Sequence, residues 1–381
     1  MTWTRFGYVS RRLTFSATPN RPGRAGVLST TRVQPLEARQ TWFPVQNLLD
    51  PAILFFVFGI FAGALRSNLE IPPQISRFLS LYLLMALGLK GGFALARSGL
   101  TTEVAVSLLS AIALAVIVPV IGYALLRRVL NGYDAAAVAA TYGSVSAVTF
   151  ITATTYLDSQ GVAYGGHMAA AMALMESPAI VLAVLLANRT RQREGAAILA
   201  GVSSPRLLQN MPAAGVAPSA PLGRIMRESL TDGSQLLLLG AMLIGILTGA
   251  TGESAMKPFT GDLFKGMLCF FLLDMGLMAA RNMGELKGKS AWLLAYAIGG
   301  PLAHAVFALA MGAVLSMSAG NTALLMVLAA SASYIAVPAV IRHAIPEASA
   351  SLYFGMSLGL TFPFNILLGL PLYVFVAQRV V

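Results

Sequence analysis

Two clusters of short hydroxyl side chains interrupt long apolar stretches of the chain. The first is Thr141-Tyr-Gly-Ser-Val-Ser-Ala-Val-Thr149, and the second is Ala330-Ser-Ala-Ser-Tyr-Ile-Ala-Val-Pro338. Ser144, Ser146 and Thr149 in one, with Ser331 and Ser333 in the other, supply oxygens that both donate and accept hydrogen bonds. Gly143 lets the chain unwind without steric cost, and Pro338 removes a backbone donor. Both features predict helix breaks. Inside a bilayer, the N-terminal end of a broken helix presents free N–H groups and a partial positive charge, which suit an anion. The C-terminal ends and unwound carbonyls present oxygens, which suit a sodium ion. One such motif is explained as well by Ser and Thr bonding to the carbonyl one turn back. Two in matched places point to ion binding. Ser144, Ser146, Thr149 and Ser333 are therefore the expected substrate-binding residues, and Ser331 the first expected cation ligand.

Charged and amide groups within apolar helices are costly and are functional candidates by default. Lys90 lies in Gly88-Leu-Lys-Gly-Gly92, Glu176 in Met175-Glu-Ser-Pro178, and Asp274 in Leu273-Asp-Met-Gly276. Asp274, Glu176 and Asn365 join Ser331 as expected cation ligands. Lys90 and Asp274 occupy matching places in the two halves and are expected to form an intramembrane ion pair. His167 and His304 are expected to be hydrogen-bonded packing residues. With three His, the single Cys269 and no CxxC or HExxH, neither a disulfide nor a zinc or haem site is expected. Sodium enters only as a coupling ion, with no cofactor. An intramembrane enzyme would need a nucleophile, a base and a third, orienting group. A Ser with His167 is the only loose candidate, and no third group accompanies it, so no enzyme is expected.

The elements that must position these residues follow from composition. Of 381 residues, 57% are hydrophobic and 11% charged, where globular proteins carry roughly 25% charge. Mean hydropathy is +0.74. No soluble fold of this length hides that much apolar surface. The net charge of +11 does not imply nucleic acid, because half of the basic residues fall in two polar segments, 1–42 and 188–228. No basic stripe is interleaved with aromatics. Ten apolar stretches are predicted to cross a bilayer: 50–66, 75–95, 102–126, 133–157, 163–187, 232–250, 261–280, 290–316, 319–341 and 349–378. A Pro- and Gly-containing stretch, 188–231, separates five spans (43–187) from five (232–381). It is expected to be a cytoplasmic linker with a short helix at 223–230.

Fourteen Lys and Arg fall in loops on one side of this arrangement and four on the other, which makes the first side cytoplasmic. Residues 1–42 hold seven Arg and one acid, Glu37. That composition fits an organellar transit peptide, or residues upstream of a mis-assigned start. The location expected is a bacterial plasma (inner) membrane, or an organelle inner membrane for the transit-peptide reading.

The halves look duplicated. Gly91-Gly-Phe-Ala-Leu-Ala-Arg97 matches Met275-Gly-Leu-Met-Ala-Ala-Arg281 at an offset of 184, and Ser144, Ala147 and Val148 match Ser333, Ala336 and Val337 at 189. Five is an odd number of spans, so the second copy must be inverted, as in secondary transporters. The fold class expected is an all-α polytopic membrane protein: ten transmembrane helices in two inverted five-helix repeats, with broken helices four and nine.

These motifs, with Met175-Glu-Ser-Pro-Ala-Ile180, Ile345-Pro-Glu-Ala348 before Ser351-Leu-Tyr353, and Thr361-Phe-Pro-Phe-Asn365, resemble the SbtA-type sodium-dependent bicarbonate transporter (permease) family. The resemblance covers about 50–378. It implies a core domain with the broken helices and a gate domain that mediates trimer formation. It also implies elevator-like alternating access, with sodium moving alongside bicarbonate. In some members it implies a small regulatory protein of the PII type on the cytoplasmic face. Neither break contains an acid, so a sodium site there relies on hydroxyls and carbonyls, or borrows Asp274 or Glu176. The competing expectations are a sodium- or proton-coupled symporter of another small organic anion, and a membrane scaffold acting through the central loop.

Overall fold

The computed structural model describes residues 50–201, 233–284 and 290–381; the side chains of 194–201, Ala339 and His343 are outside that description. Every regular element among these residues is helical. The N-terminal segment, the helix expected at 223–230 and most of the expected linker lie outside the described residues.

The first helices begin at strong local signals. Asp50 accepts from the Ala52 N–H at 2.8 Å and opens α1 (Pro51–Ala64), with Pro51 at the first position, where no N–H is needed. α2 (Pro73–Ser98) starts at a Pro pair, and α3 (Thr102–Leu126) is capped by the Thr101 hydroxyl. α4 (Gly132–Gly143) is capped by Asn131 and α5 (Ala147–Gln160) by Ser146. α6 spans Met168–Gly201. It runs 14 residues beyond the expected end at Ala187, because Arg, Gln and Glu end the apolar span without ending the helix.

The second half starts with α7 (Gly233–Lys257), kinked where Gly249 takes φ 52°. A π-turn at Pro258–Asp262 leads straight into α8 (Leu263–Met283). The apolar stretches 232–250 and 261–280 are thus joined by bent helix rather than by coil. α9 (Ala291–Val314), α10 (Ala319–Ala330) and α11 (Ala336–Ala344) follow. The last helix, α12 (Ala350–Val380), contains π-turns at Ser357–Thr361 and Asn365–Gly369.

Seven helical stretches among the described residues are long and apolar enough to cross a membrane. One of them, Gly233–Met283, has 51 residues, about 75 Å at about 1.5 Å per residue, which exceeds the roughly 30 Å of a bilayer core. The protein is a polytopic α-helical membrane protein.

Two packing regimes divide the bundle. α1 lies on α8 and α2 on α7 through small residues. A Cβ on Gly59 would strike the Leu273 carbonyl and stand 3.1 Å from Gly276 Cα, while one on Gly92 would strike the Met242 carbonyl and stand 2.8 Å from Gly245 Cα. Such contacts let membrane helices approach backbone to backbone. By contrast, α4 and α10 are buried all round, from Ala135 to Gly143 and from Gly320 to Ala330. An all-round buried helix belongs at the centre of a bundle. Each runs directly into one of the hydroxyl clusters.

Candidate anion and cation site

Helix α4 ends at Gly143, and α5 begins at Ala147 after three intervening residues; Ser144 and Ser146, on either side of Val145, are extended. Gly143 has no positive φ. Its role is steric, because a Cβ there would stand 2.6 Å from the Pro119 ring of α3. The second interruption is longer. α10 ends at Ala330, and α11 begins at Ala336. Pro338 sits in the first turn of α11 rather than at the break, in a region where backbone N–H groups lack intrahelical partners.

The two interruptions cross. The Ser146 N–H donates to Ser331 Oγ at 3.0 Å, and the Ser333 N–H donates to the Thr141 carbonyl at 2.8 Å. Ser146 Oγ then accepts from the Thr149 N–H at 3.2 Å and from the Thr149 hydroxyl at 3.0 Å. Ser333 Oγ accepts from the Val337 N–H at 3.3 Å. These bonds hold the ends of α5 and α11 toward one space.

That space is a cavity of about 60 Å³, lined by Val145, Ser146, Ala147 and Val148 from the first interruption and Ser333, Tyr334, Ile335 and Ala336 from the second. A few waters or one small polyatomic anion fit such a volume. α6 contributes Met172, Ala173 and Glu176, and the α2–α7 pair contributes Ser80, Leu84, Ser234, Gln235 and Leu238. The cavity therefore lies between the glycine-packed helices and the interrupted ones.

The residues expected from sequence divide here. Ser146, Ser333 and Glu176 line the cavity. Ser144 does not: it is fully buried as the residue ending α4, and its hydroxyl has no partner. Thr149 also stands back, with its hydroxyl spent on Ser146. Ser331 lies beneath the crossing, donating to the Leu328 carbonyl at 2.9 Å while accepting from Ser146. The Asn365 amide donates to the Ala330 carbonyl at 2.8 Å and closes the C-terminal end of α10; its oxygen accepts from the Tyr373 hydroxyl at 2.9 Å.

Asp274 is buried on α8 and accepts from the Ser76 hydroxyl. It lines an adjoining space that shares Ser80, Ser234, Tyr334 and Ile335 with the central cavity. The expected Lys90–Asp274 ion pair does not form. Lys90 Nζ stands 4.4 Å from the centroid of the Phe264 ring. Phe264 and Asp274 are ten residues apart on α8, about 15 Å along its axis. His167 is buried, as a packing residue, and its Nε2 lacks a partner.

Residues 51–378 match the family model of the Na+-dependent bicarbonate transporter superfamily. The chain belongs to this superfamily. No curated protein matches the chain. Membership makes the protein an integral membrane transporter rather than an enzyme, and sodium and bicarbonate are the solutes of its superfamily. The sequence reading of this transporter missed Ser80, Ser234, Gln235 and Tyr334. The first three stand on helices far from either hydroxyl cluster, with no spacing to single them out. Tyr334 was in plain view within the second cluster. Among the described residues, no group of three or more His, Cys, Asp or Glu side chains could hold a metal ion.

Proposed function

We propose that the cavity between the two interruptions carries bicarbonate, coupled to sodium, by elevator-like alternating access. The observation that carries this reading is the convergence of two helix N-termini, α5 and α11, on a cavity lined by Ser146 and Ser333. Ala147 and Val148 are the first two residues of α5, where N–H groups have no intrahelical partner, and both line the cavity. Such groups favour an anion. The bicarbonate hydroxyl needs an acceptor, which Ser333 Oγ supplies, since it accepts only from Val337 while Ser146 Oγ accepts two bonds from Thr149. Sodium takes carbonyls at the C-terminal ends of α4 and α10 with Ser331, and Asp274 or Glu176 supplies a carboxylate from the adjoining walls.

The same reading takes the chain as ten crossings in two inverted repeats, with helices four and nine broken. Matching contacts support it. Gly59 meets the Leu273 carbonyl and Gly276; Gly245 meets the Leu89 carbonyl and Gly92. The partners shift by 184 residues while Gly59 shifts by 186. The glycine-packed helices form the fixed gate, and the cavity lies on the sliding boundary. A homotrimer built on the gate, a PII-type regulator at the cytoplasmic loop, and a bacterial plasma membrane or organelle inner membrane location belong to this proposal.

Glu176 in the cavity wall favours one second reading, proton-coupled carriage of another small organic anion. Uptake of labelled bicarbonate into proteoliposomes distinguishes the two. Sodium-driven uptake is expected. Uptake of an organic anion driven by a pH gradient without sodium would replace bicarbonate and sodium with the second reading.

A further inference from the structure

A larger space lies beyond the central cavity, close to it along three of the helices that line both, α2, α5 and α6. It encloses about 750 Å³ and reaches α2, α5, α6 and α7. On α2, Leu84 lines the central cavity and Leu87 the larger space; on α5 these are Val148 and Phe150; on α6, Met172 and Ala169. Separations of two or three residues correspond to about 3–4.5 Å of helix axis. The partition is thus about one helical turn thick, and these side chains make it apolar. An anion moving between the two spaces meets this partition with nothing polar on these positions to hold it.

Lys90 stands three residues from Leu87, on the far side of the partition, and lines the larger space. Among the described residues the ion pairs are Arg97–Glu253 and Arg191–Glu347, so Lys90 makes no direct contact with a carboxylate; Asp158 acts on it only across the space they share. Its ammonium rests on the face of Phe264. An unpaired cation in a membrane helix is expensive to keep. The other charged groups facing this region are few. Arg97 and Glu253 pair with each other, at side-chain exposures of 58% and 43%. Lys257 lines the same space, and a neighbouring one of about 430 Å³, shared with Lys90, adds Asp262 and Lys265. Asp158 lines both, and the Tyr164 hydroxyl bonds to it. Setting the Arg97–Glu253 pair aside, three lysines face two aspartates, and one aspartate is already engaged.

We propose that Lys90 forms a second anion site, which holds a small monovalent oxyanion in this vestibule before it passes the apolar partition. The inference rests on the reading of the chain as a carrier of a small anion. It adds a waiting position that supplies the central cavity and sets the apparent affinity from that side.

The test uses the full chain with Cys269→Ser, so that one introduced thiol can be followed. Ala94→Cys places that thiol four residues from Lys90, in the lining of the same space. The anionic 2-sulfonatoethyl methanethiosulfonate should label it faster than the cationic 2-aminoethyl reagent. Lys90→Met should lower that rate ratio about tenfold, Lys90→Arg should preserve it, and bicarbonate should slow labelling only while the cation is present. In proteoliposomes, Lys90→Met should raise the bicarbonate KM about tenfold with the maximal rate retained. A labelling ratio unchanged by Lys90→Met would overturn the site, as would a KM within about twofold of the parent. Labelling is read without transport. Loss of bicarbonate uptake in the parent itself would therefore count against the central-site reading, while the labelling ratio and its protection still decide this one.

Discussion

The two interruptions differ in length, in exposure and in the bonds that hold them. The first is short and closed on every side. Residues 144–146 are buried, Gly143 is pressed against Pro119, and Ser146 caps α5 through two bonds from Thr149. The second is longer and looser. Ile335 is 51% exposed, and no side chain caps α11 at that position. At its near end α11 keeps the single bond from the Val337 N–H to Ser333 Oγ, and at its far end Arg191 donates to the Ala344 carbonyl at 3.0 Å and grips Glu347 through two bonds, at 2.7 and 2.8 Å. A preorganised N-terminus facing an adjustable one is suited to a site that must admit and release a solute.

Substitutions can break or sharpen this contrast. The largest effect is expected at Ser146. Ser146→Ala removes the cap of α5 and a cavity hydroxyl together, so initial uptake should fall about ten- to a hundredfold, the range for one hydrogen bond to a charged partner. Ser333→Ala should cost less in affinity, because α11 can readjust; uptake against bicarbonate concentration would show it. Next comes packing. Gly143→Ala must push a methyl into the Pro119 ring and should destabilise by about 1–3 kcal/mol, seen as a lower melting temperature in detergent. Ile335→Ala should leave that temperature nearly unchanged. Asn365→Leu strands the buried Ala330 carbonyl at the end of α10 and should cost about 1–3 kcal/mol. The smallest effect concerns pH. The Arg191 guanidinium holds the Glu347 carboxyl below its ordinary value. Its stabilisation is therefore present above the ordinary carboxylate value and is lost as pH falls through the lowered one. The pair is partly exposed, so Glu347→Gln should remove no more than about 1 kcal/mol. Melting curves from pH 7 downward should converge with the parent in acid.

How much of this was legible in the sequence depends on what each residue's neighbours are. The apolar stretches and the hydroxyl clusters, which bring Ser146 and Ser333 to the cavity wall, could be read, because composition and local pattern carry them. Ser144 could not be told from Ser146, since one residue decides whether a side chain faces the cavity or the helix interior. Pro338 invited a break at its own position, yet the first turn of a helix tolerates Pro. The Lys90–Asp274 pair was inferred from matching positions. Matching places in two similar stretches of sequence need not lie near each other in space, so matching is poor evidence of contact. Ser80, Ser234 and Gln235 come to the cavity only through the packing of α2 on α7.

The central claim is that the solute sits against Ser146 and not against its near neighbour. The most direct measurement compares sodium-driven bicarbonate uptake in proteoliposomes for Ser144→Ala and Ser146→Ala at equal protein content. Near-normal uptake is predicted for Ser144→Ala, whose hydroxyl is buried and unbonded, and a loss of at least about tenfold for Ser146→Ala. Loss in the first variant with retention in the second would contradict the site.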